Sequence, residues 1–171
     1  MSELRNVEVD VRGLPRPQGS MKSHVLPSGR VATRYPDGVW AWRHQVQYAV
    51  AALEEEPFTG PVELRLGFEL LRPAGHFGTG RNAGLVRKGA PRWPAVMPDL
   101  DKLTRAVCDA ITDAGLWRDD AQVVVIHTAK RYCDASPGVL IHVLEMPMEH
   151  PAVILDPDQL ELFDTKEAAR A

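Results

Sequence analysis

Hydrophobic residues fall along this chain in two periods. "VEVDVRG" (7–13) alternates apolar and polar residues, the pattern of a strand buried on one face. "PVELRLGFELLRP" (61–73) alternates again and predicts a second strand. Between them, Val39, Trp42, Val46, Ala49, Val50 and Leu53 recur at helical spacing, which predicts a helix over 39–56. A clearer helix is predicted over 99–115. Leu103, Ala106, Val107, Ala110, Ile111 and Ala114 form its apolar stripe, and Gly115 is a natural stop. "AQVVVIHTAKRY" (121–132) carries a continuous apolar run, typical of a central strand. After the turn "SPG", "VLIHVLEM" (139–146) reads as an edge or second central strand. The predicted order is β-α-β-α-β-β over residues 1–146, an α+β domain whose mixed sheet carries two main helices. The Pro-containing, acidic segment 147–171 reads as a flexible tail.

Two stretches break these periods. Residues 14–38 hold Pro15, Pro17, Gly19, Pro27, Gly29, Pro36 and Gly38, which predicts a long loop with little regular structure. Residues 74–98 predict a second, Gly- and Pro-rich loop. Its Gly78, Gly80 and Gly84 lack the Lys-Ser/Thr of a phosphate-cradling loop. Loops of this length are usually functional or disordered. The length of 171 residues fits one domain with a real core. No apolar run approaches the ~18–20 residues of a membrane span, and "MSELRNVEVD" has no signal-peptide character. Cys108 and Cys133 have no metal-type spacing, so reduced structural thiols and a cytoplasmic location are expected.

The net charge of −3 argues at first against a nucleic-acid partner, but the charge is segregated. From Val11 to Pro36 the charged residues are Arg12, Arg16, Lys22, Arg30 and Arg34, with no acid. From Leu71 to Pro98 they are Arg72, Arg81, Arg87, Lys88 and Arg92, again with no acid. Seven acids against two bases gather from Glu145 onward. Two basic loops on a near-neutral body are the footprint of a phosphate-backbone partner; the plainer reading is solubility.

The acids that bear on chemistry form two pairs. "PDLDKL" places Asp99 and Asp101 at a helix start, and "WRDDAQV" places Asp119 and Asp120 just before a strand. Each has an ordinary structural reading, as a helix cap and as a turn. The helix from Asp101 to Ala114 is about 20 Å long. An extended path from Gly115 to Asp120 covers roughly 17 Å, so the second pair is able to return close to the first. Carboxylates crowded together resist joint ionisation, and a divalent cation relieves this. An all-oxygen set suits Mg²⁺ or Mn²⁺ rather than zinc. Arg105 lies one turn after Asp101, placed either to clamp a phosphate or to form an ordinary surface pair.

At these residues the chain resembles a known family. "PDLDKLTRAVCDAITDAGLWRDDAQVV" is similar to the signature of RusA-type Holliday-junction resolvases, bacterial and phage endonucleases. That signature runs Asp-Leu-Asp at a helix start, a basic residue one turn on, an Asp-Ala-Leu-like continuation, then Asp-Asp-x-Gln-Val entering a strand. The resemblance is strong over 98–124 and extends as general order over 7–146; "GLPRPQGS" (13–20) with Trp42 also matches the family's N-terminal pattern. It implies a Mg²⁺-dependent homodimer that resolves four-way DNA junctions by paired nicks. Asp99, Asp101 and Asp120 would then be the catalytic, metal-binding carboxylates, with Asp119 accessory. Two positions depart from the pattern. Lys102 stands where Asn is common, and Arg105 where a catalytic Lys is common. Arg keeps the charge but cannot act as a general acid, so phosphate contact is the role that survives; Lys102 either takes up part of that contact or merely replaces a neutral family residue. The basic loops would track the DNA backbone. Trp93, Phe77 or Tyr35 is expected either to wedge against unstacked bases or to lie in a dimer interface. The alternative function is a non-catalytic DNA-binding or clamp-associated adaptor, with the aspartates as caps.

Within the tail, Gln159, Leu160, Glu161, Leu162 and Phe163 resemble the short Gln-Leu-x-Leu-Phe peptide with which bacterial replication and repair proteins bind the sliding clamp. A polar tail presenting Leu160, Leu162 and Phe163 as apolar anchors suits such a pocket; a short helix docked on the protein's own body is the alternative. Replacing Leu162 and Phe163 together by Ala is expected to abolish retention on the bacterial clamp in a pull-down while leaving DNA cleavage unchanged. Undiminished retention would refute the clamp reading.

Overall fold

The computed structural model of the chain describes residues 4–19, 22–34 and 38–148. In chain order the elements are β1 (Asn6–Arg12), β2 (Lys22–Val25), β3 (Val31–Arg34), α1 (Val39–Ala51), β4 (Val62–Leu71), α2 (Leu100–Ala114), β5 (Val123–Cys133) and β6 (Gly138–Glu145). The main sheet has the order β1-β6-β4-β5. β6 pairs antiparallel with both β1 and β4, while β4 and β5 are parallel and joined through α2. The architecture is α+β, a mixed four-stranded sheet with two helices.

The alternation sorts the sheet's faces. Val7 and Val11, Leu64, Leu66, Phe68 and Leu70, and Val139, Ile141 and Val143 are buried on one face. Trp42, Val46 and Val50 of α1 and Leu103, Ala106, Val107, Ala110 and Ile111 of α2 join them in one core. The opposite face carries ion pairs. Glu69 accepts from Arg12 (2.5 Å) and Arg131 (2.5 Å), and Glu63 from Arg65 (2.5 Å). The Arg12 guanidinium, then that of Arg131, holds the Glu69 carboxyl below its ordinary range. Among the described residues, no helix is long and apolar enough to cross a membrane.

Four expectations change. Residues 14–38 are not structureless: β2 and β3 form an antiparallel hairpin. Its Pro27-Ser28-Gly29 turn uses the left-handed conformation of Gly29 (φ 78), so these residues punctuate strands rather than dissolve them. The two extra strands make the order β-β-β-α-β-α-β-β. α1 ends at Ala51 instead of residue 56. Glu54, Glu55 and Glu56 oppose the negative end of the helix dipole, and Pro57 blocks continuation. β5 lies at the sheet edge, with Val124 59% and Ile126 46% exposed, while β6 takes the central place. An apolar run cannot distinguish a strand covered by neighbours from one that presents apolar groups outward. The tail residues 149–171, including Gln159, Leu160, Leu162 and Phe163, lie outside the described residues, as do Tyr35 and the side chains of Lys22 and Arg34.

Leu103 is fully buried one turn into α2. Leu103→Ala is expected to lower unfolding free energy by about 2–5 kcal/mol in denaturant titration. A loss under about 1 kcal/mol would show that this residue does not anchor the helix.

Candidate active site

Both predicted residues of the first acidic pair sit at the start of α2, and neither serves as a cap. Asp99 occupies the N-cap position in an extended conformation (φ −70, ψ 138), yet its side chain makes no capping hydrogen bond. Its main-chain carbonyl accepts from Leu103 N (3.1 Å), opening the helix ladder. Asp101 is exposed in the first turn, where the helix dipole favours an anion. Lys102 Nζ reaches its carboxylate at 2.6 Å and holds that carboxyl below its usual value. Arg105 is exposed, with no ion pair or hydrogen bond to another described residue. Asp99 and Lys102 border an open hollow of about 520 Å³, lined also by Pro15, Arg16, Pro17 and Met97.

The wall of that hollow is fixed by a polar network that periodicity did not reveal. Gln18 N donates to the Lys102 carbonyl (2.9 Å), seating the N-terminal loop on the first turn of α2. The Gln18 side chain is buried and donates to the Asp109 carboxylate. Arg43 of α1, 8% exposed, donates to Gln18 Oε1 (3.2 Å), to Asp109 (3.4 Å) and to Asp113. The only sequence signal was a long charged residue next to Trp42 on the buried face of α1. From the other side, Lys130 of β5 donates to the carbonyls of Val96 (2.8 Å) and Pro98 (2.8 Å), and Thr128 meets Thr104 hydroxyl to hydroxyl (3.2 Å).

The second acidic pair divides its work. Asp119 is a cap: its Oδ1 accepts from Ala121 N (2.8 Å) at a short 3-10 turn, Asp120–Gln122. Gln122 completes the box and donates to the carbonyls of Phe58 (2.9 Å) and Gly60 (2.9 Å), tying this turn to the start of β4. Asp120 is left exposed. It borders a smaller hollow with Asp109, Thr112, Asp113 and Arg43. It also lies near Cys108, whose thiol is pushed up to about 12 by burial and then by the charges of Asp120 and Asp109. The returning chain thus meets α2 along its second half, beside Asp109, Thr112 and Asp113, two turns or more from Asp101.

The two clusters do not merge. Among the described residues, no three of His, Cys, Asp and Glu lie close enough together to hold a metal ion. Asp99 and Asp101 still fit a magnesium-type ion, which is commonly held by one or two carboxylates and otherwise by water and substrate phosphate. Asp99, uncommitted at the N-cap, is the clearer donor. Asp119 gives one carboxylate oxygen to the cap and lines the second hollow with Asp120.

The basic residues also separate. Arg12 pairs with Asp10 and Glu69 on the sheet face opposite the helices, so it does not share a surface with Asp99. Arg72 is built in, donating to the Pro91 carbonyl (2.9 Å) and lying over the Tyr132 ring (4.6 Å). Arg87 ties Phe77 O (2.6 Å) within its loop. Arg16, Arg30, Arg81, Lys88 and Arg92 are exposed. Trp93 is 59% exposed, with Arg92 against its ring, whereas Phe77 is half-buried.

Residues 14–144 match the family model described as Endodeoxyribonuclease RusA, which covers most of the chain. No curated protein matches it. The chain belongs to the RusA endodeoxyribonuclease family and is therefore a nuclease. RusA-type resolvases depend in general on a divalent metal.

Arg43→Met would leave Gln18, Asp109 and Asp113 without their cation. The expected loss is about 2–3 kcal/mol in denaturant titration, below that of a fully buried pair because Asp113 is solvated. An unchanged midpoint would show that the network does not hold the loop to the helices.

Proposed function

We propose that the protein is a Mg²⁺-dependent, structure-selective endodeoxyribonuclease, with Mn²⁺ the alternative ion. It would resolve four-way DNA junctions by paired symmetric nicks during recombination and repair in a bacterial or phage setting. The observation that supports this most is the start of α2 in a chain of the RusA family. There an uncommitted N-cap aspartate, a second exposed aspartate and an exposed arginine follow one another within seven residues, 99–105.

Asp99 and Asp101 would hold the ion. When bound, it supplies positive charge and Lewis acidity at the scissile phosphate. Arg105, always protonated, holds the phosphate by charge and hydrogen bonding and transfers no proton. Lys102 pairs with Asp101 and offers a second cation at the same edge. Asp120, two turns or more along α2, acts from the second hollow on the DNA strand lying across the helix. Arg16 and the exposed cations of the 81–92 loop follow the backbone, and Arg30 does so from the hairpin tip. Binding should therefore weaken steeply with salt. Trp93 offers a flat exposed ring for an unstacked base.

A homodimer suits this substrate, because a four-way junction has near-twofold symmetry and an isologous dimer presents two equivalent sites. The Gln159–Phe163 segment would recruit the enzyme to the sliding clamp. The adaptor alternative has no support, since the family is one of nucleases.

Asp101→Asn removes a ligand charge at constant size. It is expected to reduce cleavage of a labelled four-way junction by at least about a thousandfold while junction affinity stays within about threefold, and the wild type should cut only with Mg²⁺ or Mn²⁺. Wild-type cutting by the variant, or equal cutting of linear duplex and junction by the native enzyme, would overturn this reading.

A further inference from the structure

Lys130 stands out among the described cations because its ammonium is committed to two main-chain carbonyls and to no carboxylate. It lies in the second half of β5, in register with Phe68, and so projects from the helix-bearing face of the sheet. Two of its three ammonium hydrogens are spent on neutral main-chain carbonyls, Val96 O and Pro98 O, each at 2.8 Å. No carboxylate of a described residue pairs with it. A lysine held by two carbonyls costs side-chain entropy, and one such bond would have satisfied either acceptor through water. The arrangement is therefore notable for where it acts. The two carbonyls belong to the end of the basic loop, and the second immediately precedes Asp99.

The same stretch is unusual in a second way. An aspartate at a helix N-cap ordinarily turns its carboxylate back onto the helix, satisfying an unpaired N–H and fixing its own backbone. Asp99 does not, so something else must hold its main chain in the extended conformation that starts α2. Three contacts are available to do it. Gln18 N binds the Lys102 carbonyl, and Thr128 meets Thr104. Among the described residues, Lys130 is the side chain that grips the carbonyls just before Asp99, whereas Arg72 holds the loop further back at Pro91.

We propose that Lys130 is a positioning residue for the candidate active site. By clamping the Val96 and Pro98 carbonyls it replaces the capping bond that Asp99 forgoes, which frees the Asp99 carboxylate for the cation and substrate. This rests on the nuclease site proposed above at Asp99 and Asp101.

The test compares Lys130→Met, which keeps length and loses charge and donors, with Lys130→Arg, whose planar fork can again span two carbonyls. In the metal-free protein, the Leu103 amide, which opens the helix ladder on Asp99 O, is expected to exchange about tenfold faster in the Met variant, with amides of β6 unchanged. Single-turnover cleavage of a four-way junction with Mg²⁺ should fall about a hundredfold in the Met variant, with junction Kd within about twofold, because the defect is in placement rather than in binding. The Arg variant should recover most of both losses. The proposal is overturned if Leu103 exchange is unchanged in the Met variant, or if exchange accelerates throughout the core and Arg gives no recovery, which would be a merely structural role. It is also overturned if the Met variant cleaves within about threefold of wild type. Should the native enzyme fail to cut junctions at all, the proposed function falls, while the exchange comparison still decides whether Lys130 holds Asp99.

Discussion

The burial of α2 is the constraint from which the site follows. Leu103, Ala106, Val107, Ala110 and Ile111 are packed against α1 and the sheet with essentially no exposure. Side chains of the larger kind stabilise by about 1.5–3 kcal/mol each when fully buried, so the helix has one seating and no freedom to rotate about its axis. That seating decides which residues face outward. Asp101 and Arg105 fall on the opposite side from the stripe, and Asp109 and Asp113 fall toward Arg43. The helix ends at Gly115 (φ 78), where the left-handed turn sends the chain through buried Leu116 and Trp117. Trp117 bonds Thr112 (2.7 Å), so the turn that presents Asp120 is held to the same helix. Both acidic clusters are thus positioned by one apolar stripe, although they stand at different levels along it.

This explains why much of the fold was legible in the residues. Periods of two and of about 3.6 are direct consequences of burial on one face, and β1, β4 and α2 follow them closely. What the periods do not encode is which neighbour a strand acquires. The run Val123–Ile126 is apolar in either position, and only the parallel pairing with β4 puts it at the edge. The hairpin was hidden for a related reason. Prolines and glycines were counted as breakers over 14–38, whereas at 27–29 they make the turn that allows two short strands to pair. For the site, the aspartates were legible because acidic pairs beside a helix start are chemically conspicuous. Their division of labour was not. Asp119 and Asp120 are neighbours of the same type, and only the capping geometry with Gln122 tells the structural one from the free one. Chain reach allowed Asp120 to return to Asp101, but Gln122 binds Phe58 and Gly60 and halts the chain near Cys108. Lys130 and Arg43 act on main-chain carbonyls and through tertiary pairs, and neither has a local signature.

The two faces of the sheet have opposite electrostatic characters, and this corrects the reading of charge from segments alone. On the face away from the helices, cations and acids alternate and satisfy one another: Arg12 with Glu69, Arg131 with Glu69, Arg65 with Glu63. Exposed pairs of this kind contribute little to stability, but they leave no net field for a polyanion. On the helix side, Arg105 and the cations of the 81–92 loop have no such partners among the described residues, apart from Arg87's bond to a carbonyl. A net charge of −3 is therefore compatible with the proposed DNA partner, because the ion pairs on the face away from the helices cancel within that face.

The separation of Asp120 from Asp99 and Asp101 bears on how such a surface would work. A duplex strand is a repeating row of phosphates, and a carboxylate pair with its cation can engage only one of them. A second acid two turns or more along α2 faces the next part of the same strand rather than the same phosphorus. Unless the acid is neutralised or turned toward the ion, it repels that strand. The repulsion is smallest where the backbone bends away, as it does at the crossover of a branched molecule, and largest along straight duplex. An acid set apart from the reacting centre can therefore discriminate against the wrong DNA shape by penalising it, which is cheaper for a small domain than building contacts that recognise the right one. If the proposed function holds, a preference for branched DNA would rest partly on Asp120, since Arg43 already neutralises Asp109 and Asp113, and the cations at the α2 N-terminus would supply the affinity that this selection works against.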